Sequence, residues 1–151
     1  MKILVMNGPN MQLLGHRNPK YYGTRTLSDI EAKLKDVAKE LGIAISFIQS
    51  NHEGDLCDAV ASAMKEKVDG IVLNPAAYTH TSLALHDALE AAEIPTIEVH
   101  MSNILAREDI RKTSITGSVC LGQITGLGAD SYEWALRAIH RYLLAKSNIN
   151  Q

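Results

Sequence analysis

An α/β domain built on a doubly wound sheet of five parallel strands is the architecture this sequence predicts. Two observations carry the expectation. Short runs rich in β-branched residues alternate with segments of helical period along the chain, and the residues that directly follow several of those runs are polar. Strands joined through helices pair in parallel and are covered by helices on both faces, and ligands then sit beyond the carboxyl ends of the strands.

The strands are expected at Lys2 to Asn7, Ala44 to Gln49, Gly70 to Asn74, Pro95 to His100 and Val119 to Gln123. Between the first two, Ile30, Leu34, Val37, Ala38 and Leu41 recur at helical spacing. Ser28 with Glu31 three residues on forms a capping box for that helix, and Gly42 suits the left-handed position past its end. Leu56, Ala59, Val60, Ala63 and Met64 make the next apolar stripe, and Leu85, Ala88, Leu89 and Ala92 the one after. A last helix is expected from about Ser131 to Ala145. These units fit a flavodoxin-like sheet of order 2-1-3-4-5 in a single domain, 1–151, without internal repeat or linker.

Size and charge narrow the function. The 151 residues are about one domain's worth, and fifteen Lys and Arg against seventeen Asp and Glu leave a net charge of -2, which gives no broad cationic surface for nucleic acid. The apolar runs are far shorter than the ~20 residues that span a bilayer. Lys2 followed by Ile3 to Met6 is too short for a signal peptide, so the expected compartment is the cytoplasm. Cys57 and Cys120 are far apart in apolar segments and read as reduced thiols. With aromatics at 5% there is little to stack a flavin, and neither GxGxxG nor GxxxxGK[ST] is present to cradle phosphate.

Chemistry is therefore sought where the strands end. Asn7, Gly8, Pro9 and Asn10 follow strand 1. Asn74 and Pro75 follow strand 3, with Thr79, His80, Thr81 and Ser82 close behind, and His100, Ser102 and Asn103 follow strand 4. Asparagines at these ends argue against a phospho-receiver, which needs an acceptor carboxylate there. Glu98 lies on the same strand face as His100, so a metal triad with His80 is one reading, and hydrogen-bonded or acid-base histidines are the other. Residues 8–27 lack a clear period where a βα loop normally takes 2 to 6 residues, which points to an active-site loop and lid. Arg17 and the tyrosines Tyr21 and Tyr22 lie in it. A phenol is a poor base at neutral pH, but a guanidinium within about 4 to 6 Å favours phenolate, so Arg beside Tyr can make a base. Asp87 sits about 200° round from Leu85 at helical spacing and points away from the core.

The stretch Asn7-Gly-Pro-Asn10, Leu13-Leu14-Gly15, Arg17-x-Pro19 and Tyr22-Gly23 resembles the opening of the type II 3-dehydroquinate dehydratases. Later motifs agree: Leu73-Asn74-Pro-Ala-Ala-Tyr-Thr-His80-Thr-Ser82, Ile97-Glu98-Val-His100-Met-Ser102-Asn103, Arg107-Glu108-x-x-Arg111 and Gly122-Gln-Ile-Thr-Gly126. Met11, Gln12, Asn18 and Ile110 depart from the family pattern.

The resemblance implies a cofactor-free, metal-free lyase that converts 3-dehydroquinate to 3-dehydroshikimate by anti elimination through an enolate. Tyr22 corresponds to the base, Arg17 to the lid arginine beside it, His100 to the acid that protonates the departing hydroxyl, and Glu98 to a group orienting that imidazole. Asn10 matches the amide near the developing enolate. Asn74, His80, Met101, Ser102 and Arg111 match substrate contacts, the Met101 and Ser102 share being largely backbone. Asp87 matches a residue offered to the adjacent subunit of a dodecamer, a tetramer of trimers. An inactive binding module of the same fold and a metal-assisted hydrolase using Glu98, His80 and His100 are the competing readings.

Overall fold

In a computed structural model, which describes residues 1–149, the chain forms five strands and five helices. They are β1 (Lys2–Asn7), α1 (Pro19–Tyr22), α2 (Leu27–Leu41), β2 (Ala44–Gln49), α3 (Glu53–Lys65), β3 (Gly70–Asn74), α4 (Leu83–Ala92), β4 (Thr96–His100), β5 (Gly122–Thr125) and α5 (Asp130–Ile149). All pairings are parallel, in the order β2-β1-β3-β4-β5.

Alternation along the strands builds two cores. Ile3, Val5, Val72, Ile97 and Val99 face α2 and α5 through Ile30, Leu34, Tyr132, Leu136 and Ile139. Leu4, Met6, Ile71 and Leu73 face α3 and α4 through Leu56, Val60, Leu85 and Leu89. Strands covered on both faces read as near-continuous apolar runs, as β3 does; β4 is equally buried, although Thr96, Glu98 and His100 alternate with Ile97 and Val99. Ala59 is half-buried and Met64 exposed, so the second stripe is narrower than its spacing suggests.

Several boundaries differ from the sequence expectation. The capping box of α2 is Thr26 with Asp29, two residues before Ser28 and Glu31. Both pairs have the required spacing, but only Thr26 has the extended backbone that lets its hydroxyl accept from the Asp29 amide while Asp29 accepts from the Thr26 amide. Gly42 does take the left-handed position at the helix end, with φ 68°. The last strand begins at Gly122 rather than Val119 because Thr116–Val119 winds into a 3₁₀ turn, with the Cys120 thiol donating to the Thr116 carbonyl. The last helix runs four residues beyond Ala145 to Ile149.

The long segment after β1 is only partly a surface loop. A 3₁₀ turn at Met11–Leu13 buries Met11 and, just beyond it, Leu14 in the core. Asn18 then caps α1 by accepting from the Lys20 amide, with Pro19 in the first turn. Gly8 is required by close approach: a Cβ there would lie 2.4 Å from the Pro75 carbonyl oxygen, while its amide donates to the Asn74 carbonyl at 2.8 Å.

Candidate active site

Register places the polar strand ends together. Asn7 pairs with Gln49 on one side and Asn74 on the other, and β4 ends at His100 beside Thr125. Strand order reverses between β1 and β3, the switch point where a crevice opens in such sheets. The crevice is lined by Asn10, Arg17, Tyr22, Asn74, His80, His100, Met101, Ser102, Arg107 and Arg111, among others. Nine of the sequence-expected residues thus share one pocket. Glu98 lies behind it, and Asp87, whose side chain is 74% exposed, lies outside it.

Tyr22 sits between two guanidinium groups. The Arg17 guanidinium carbon is 3.8 Å from the Tyr22 ring centroid, and Arg107 Nη1 donates to the Tyr22 hydroxyl at 3.0 Å. Arg107 also stacks 4.0 Å from the Tyr21 ring centroid. Burial works against its charge, but the Tyr22 hydroxyl and the Glu108 carboxylate outweigh that and strengthen its hold on the proton. Arg107 lies in a quoted motif, yet sequence reasoning gave it no role. Nothing in local spacing reveals a contact across 85 residues.

His100 and Glu98 form a buried pair, 5% and 0% exposed, with His100 Nε2 at 2.6 Å from Glu98 Oε1. A carboxylate only accepts, so Nε2 carries the proton and Nδ1 is the ring nitrogen left for chemistry. Burying a carboxylate is costly unless its oxygens are satisfied. Here Thr79, Ser114 and Gln123 donate to Oε1 at 2.9, 2.7 and 2.7 Å, and Thr116 donates to Oε2 at 2.5 Å. Burial pushes the Glu98 carboxyl up, but His100 and the Thr116 and Ser114 hydroxyls outweigh it and hold the group at about 2. The 3₁₀ turn that displaced the start of β5 is what brings Thr116 under this carboxylate.

Asn74 is fixed on both ends of its amide. Its Nδ2 donates to the Tyr132 hydroxyl at 2.8 Å, and its Oδ1 accepts from the Ala76 amide at 3.1 Å. Tyr132 is fully buried and donates in turn to Asn7 Oδ1 at 2.5 Å; burial drives its phenol well above the usual range, so it remains a neutral donor. His80 Nδ1 lies 2.7 Å from the Thr113 carbonyl oxygen, which makes Nδ1 the protonated nitrogen and leaves Nε2 for the pocket. Met101 is buried and packs in the core at the edge of the pocket. Arg111 is half-exposed, with Nε 3.3 Å from Glu108.

Other chemistries find less support in the geometry. Burial and the Glu98 charge push the Cys120 thiol up to about 12, and burial with Glu53 and Asp58 raises Cys57, the opposite of an activated nucleophile. Among the described residues, the one group of three potential metal-ligating side chains within mutual reach is His86, Asp87 and Glu90, none of which lines the pocket. Glu98, His80 and His100 do not form such a group, since Glu98 already accepts from hydroxyl and amide donors. Among the described residues no helix is long and apolar enough to cross a membrane.

The chain is similar to known proteins over most of its length. A family model described as dehydroquinase class II matches residues 1–140. The chain is 50% identical over 142 residues to a 3-dehydroquinate dehydratase of Caldicellulosiruptor bescii, covering 94% of this chain and 98% of that protein. It is 52% identical over 140 residues to one of Bordetella avium, covering 93% and 97%. Among solved structures, the type II dehydroquinase of Butyrivibrio crossotus superposes with a TM-score of 0.91 at 43% identity, over 92% of this chain and 97% of that one.

Proposed function

The chain belongs to the class II dehydroquinase family and is a hydro-lyase acting on 3-dehydroquinate, and on that premise we propose how its own residues divide the work. Tyr22 removes the proton beside the substrate ketone. The observation that carries this reading is the Tyr22 hydroxyl bonded to Arg107 Nη1 at 3.0 Å with the Arg17 guanidinium 3.8 Å from the ring centroid. A cation at the oxygen and another at the ring stabilise the negative form that a base must adopt.

The enolate oxygen then develops charge next to Asn10, whose amide acts as a preorganised donor, a type of contact typically worth about 10² or more in rate. His100, carrying its transferable proton on Nδ1, protonates the departing hydroxyl, which leaves as water. Glu98 keeps the imidazole oriented through Nε2 and, as an anion, supports the charged ring. Asn74, His80 and Arg111 hold the substrate, with backbone amides of Met101 and Ser102 on its carboxylate. His80 Nε2 is an acceptor in the neutral ring, which suits a substrate hydroxyl.

Within the segment 8–27, the part that carries Arg17 and Tyr22 closes over this pocket as a lid in one catalytic domain, while Met11 and Leu14 anchor the rest in the core. Asp87 points outward on α4 and reaches the site of a neighbouring subunit in a homo-oligomer, the dodecamer implied by the sequence resemblance. The test is direct: formation of the conjugated enone from 3-dehydroquinate is followed by absorbance with chelator present, and again after the protein has been treated with substrate plus borohydride and freed of both. Undiminished product formation in both supports elimination by side chains alone. Loss with chelator points to a metal, loss with borohydride to a lysine imine, and no product to a binding module.

A further inference from the structure

Asn10 has a backbone conformation that its own side chain does not explain. Its φ of 66° and ψ of 5° lie in the left-handed region, which costs energy for any residue with a Cβ even though asparagine tolerates it better than most. No side-chain capping bond accompanies it. The direction in which the Asn10 amide enters the pocket follows from that backbone, so whatever holds the backbone aims the amide.

The holder is Asn51, two residues past Gln49, where β2 ends. Its Oδ1 accepts the Asn10 backbone N–H at 2.9 Å. Asn51 is in turn tied down: Gln49 Nε2 lies 3.2 Å from the same oxygen, and the Tyr78 hydroxyl donates to the Asn51 carbonyl at 2.7 Å. Gln49 Nε2 also reaches the Gly8 carbonyl at 3.2 Å and Gln12 Oε1 at 3.0 Å, on both sides of Asn10. The end of β2 thus holds the loop through Gln49 and Asn51, with Tyr78 bracing Asn51 from a second part of the chain, though neither Gln49, Asn51 nor Tyr78 lines the pocket.

We propose that Asn51 is a positioning residue for the elimination: its side-chain oxygen fixes the left-handed backbone of Asn10 and so presets the Asn10 amide toward the developing enolate. The inference rests on the role of Asn10 in the proposed function. It predicts a defect in turnover rather than in substrate binding, because the substrate contacts at Asn74, His80 and Arg111 belong to other loops. It also predicts that only the acceptor matters, since Asn51 is engaged through Oδ1.

The experiment measures kcat and KM on 3-dehydroquinate for Asn51→Ala, Asn51→Asp, Asn10→Ala and the Asn10→Ala/Asn51→Ala double variant, with thermal melts as a fold check. Asn51→Ala is expected to lower kcat about tenfold with KM within about twofold, and Asn51→Asp, which retains the acceptor, to stay within about twofold of the parent. Asn10→Ala is expected to lose about a hundredfold, with the double variant no worse, because one residue acts through the other.

Parental kcat in Asn51→Ala, a loss in Asn51→Asp as deep as in Asn51→Ala, or multiplying losses in the double variant overturns the inference while leaving Asn10 its role. Parental kcat in Asn10→Ala removes that role and the inference with it. Should Asn51→Ala not fold, Tyr78→Phe replaces it: slackening Asn51 is expected to lower kcat about threefold, and an unchanged kcat overturns the proposal.

Discussion

Replacing Glu98 with Gln turns the buried carboxylate into a neutral group of the same shape, and the structure sets the size of the effect. The carboxyl is held at about 2 against an ordinary 4.5, because His100, Thr116 and Ser114 outweigh its burial. A depression of roughly 2.5 pH units at about 1.4 kcal/mol each corresponds to about 3 kcal/mol of folding stability. Since the folded value lies below the unfolded one, that stability is complete above pH 4.5 and disappears as the pH falls towards 2. Glutamine also offers N–H groups where hydroxyl and amide donors already point, which adds a pH-independent loss. Urea denaturation of both proteins at one protein concentration, from pH 7 to pH 2, is the assay. The gap between them should be widest at neutral pH and narrow by about 3 kcal/mol between pH 4.5 and 2. A gap that stays constant through that window refutes the picture of Glu98 as a satisfied anion.

Tyr22→Phe and Arg17→Ala should each reduce kcat by about a hundredfold or more with unchanged circular dichroism, and near-parental turnover in either removes the base assignment. Arg107→Lys should be nearly as impaired as Arg107→Ala, because a lysine cannot stack on Tyr21 and bond Tyr22 at once; steady-state kinetics showing full recovery with lysine reduces Arg107 to a point charge. Tyr132→Phe should lower stability by about 1 to 3 kcal/mol and raise KM, since it strands buried polar groups on Asn7 and Asn74; chemical denaturation and substrate titration read the two effects separately. His100→Ala should chiefly lower kcat and Arg111→Ala chiefly raise KM, so equal effects on both constants contradict those separate roles.

Legibility of the fold followed the range of the physics involved. Strand and helix positions depend on residues a few places apart, and β1, β2 and β3 lie where the apolar runs place them. The capping box illustrates the limit: Thr26 with Asp29 and Ser28 with Glu31 offer the same spacing, and only the entry of the chain from Arg25 chooses between them. Val119 carries strand composition, yet β5 starts only at Gly122, because Thr116–Val119 is drawn into a turn under Glu98.

The site divides the same way. Asn10, Arg17, Tyr22, Asn74, His80, His100, Met101, Ser102 and Arg111 carry recognisable chemistry at strand ends or in the quoted motifs, and all reach one pocket. The groups that tune them were silent in the sequence. A buried Glu98 demands donors, but Thr79, Ser114, Thr116 and Gln123 are ordinary polar residues until packing aims them at it. Sequence alone determined the alternation of strands and helices, the polar rim and the family, because period and motif are local properties of the chain. Only the tertiary structure decided that Arg107 meets the Tyr22 oxygen, that Tyr132 steadies Asn74 and that Asn51 holds Asn10. Those contacts join residues 41 to 85 positions apart, where distance is a consequence of how helices and sheet pack.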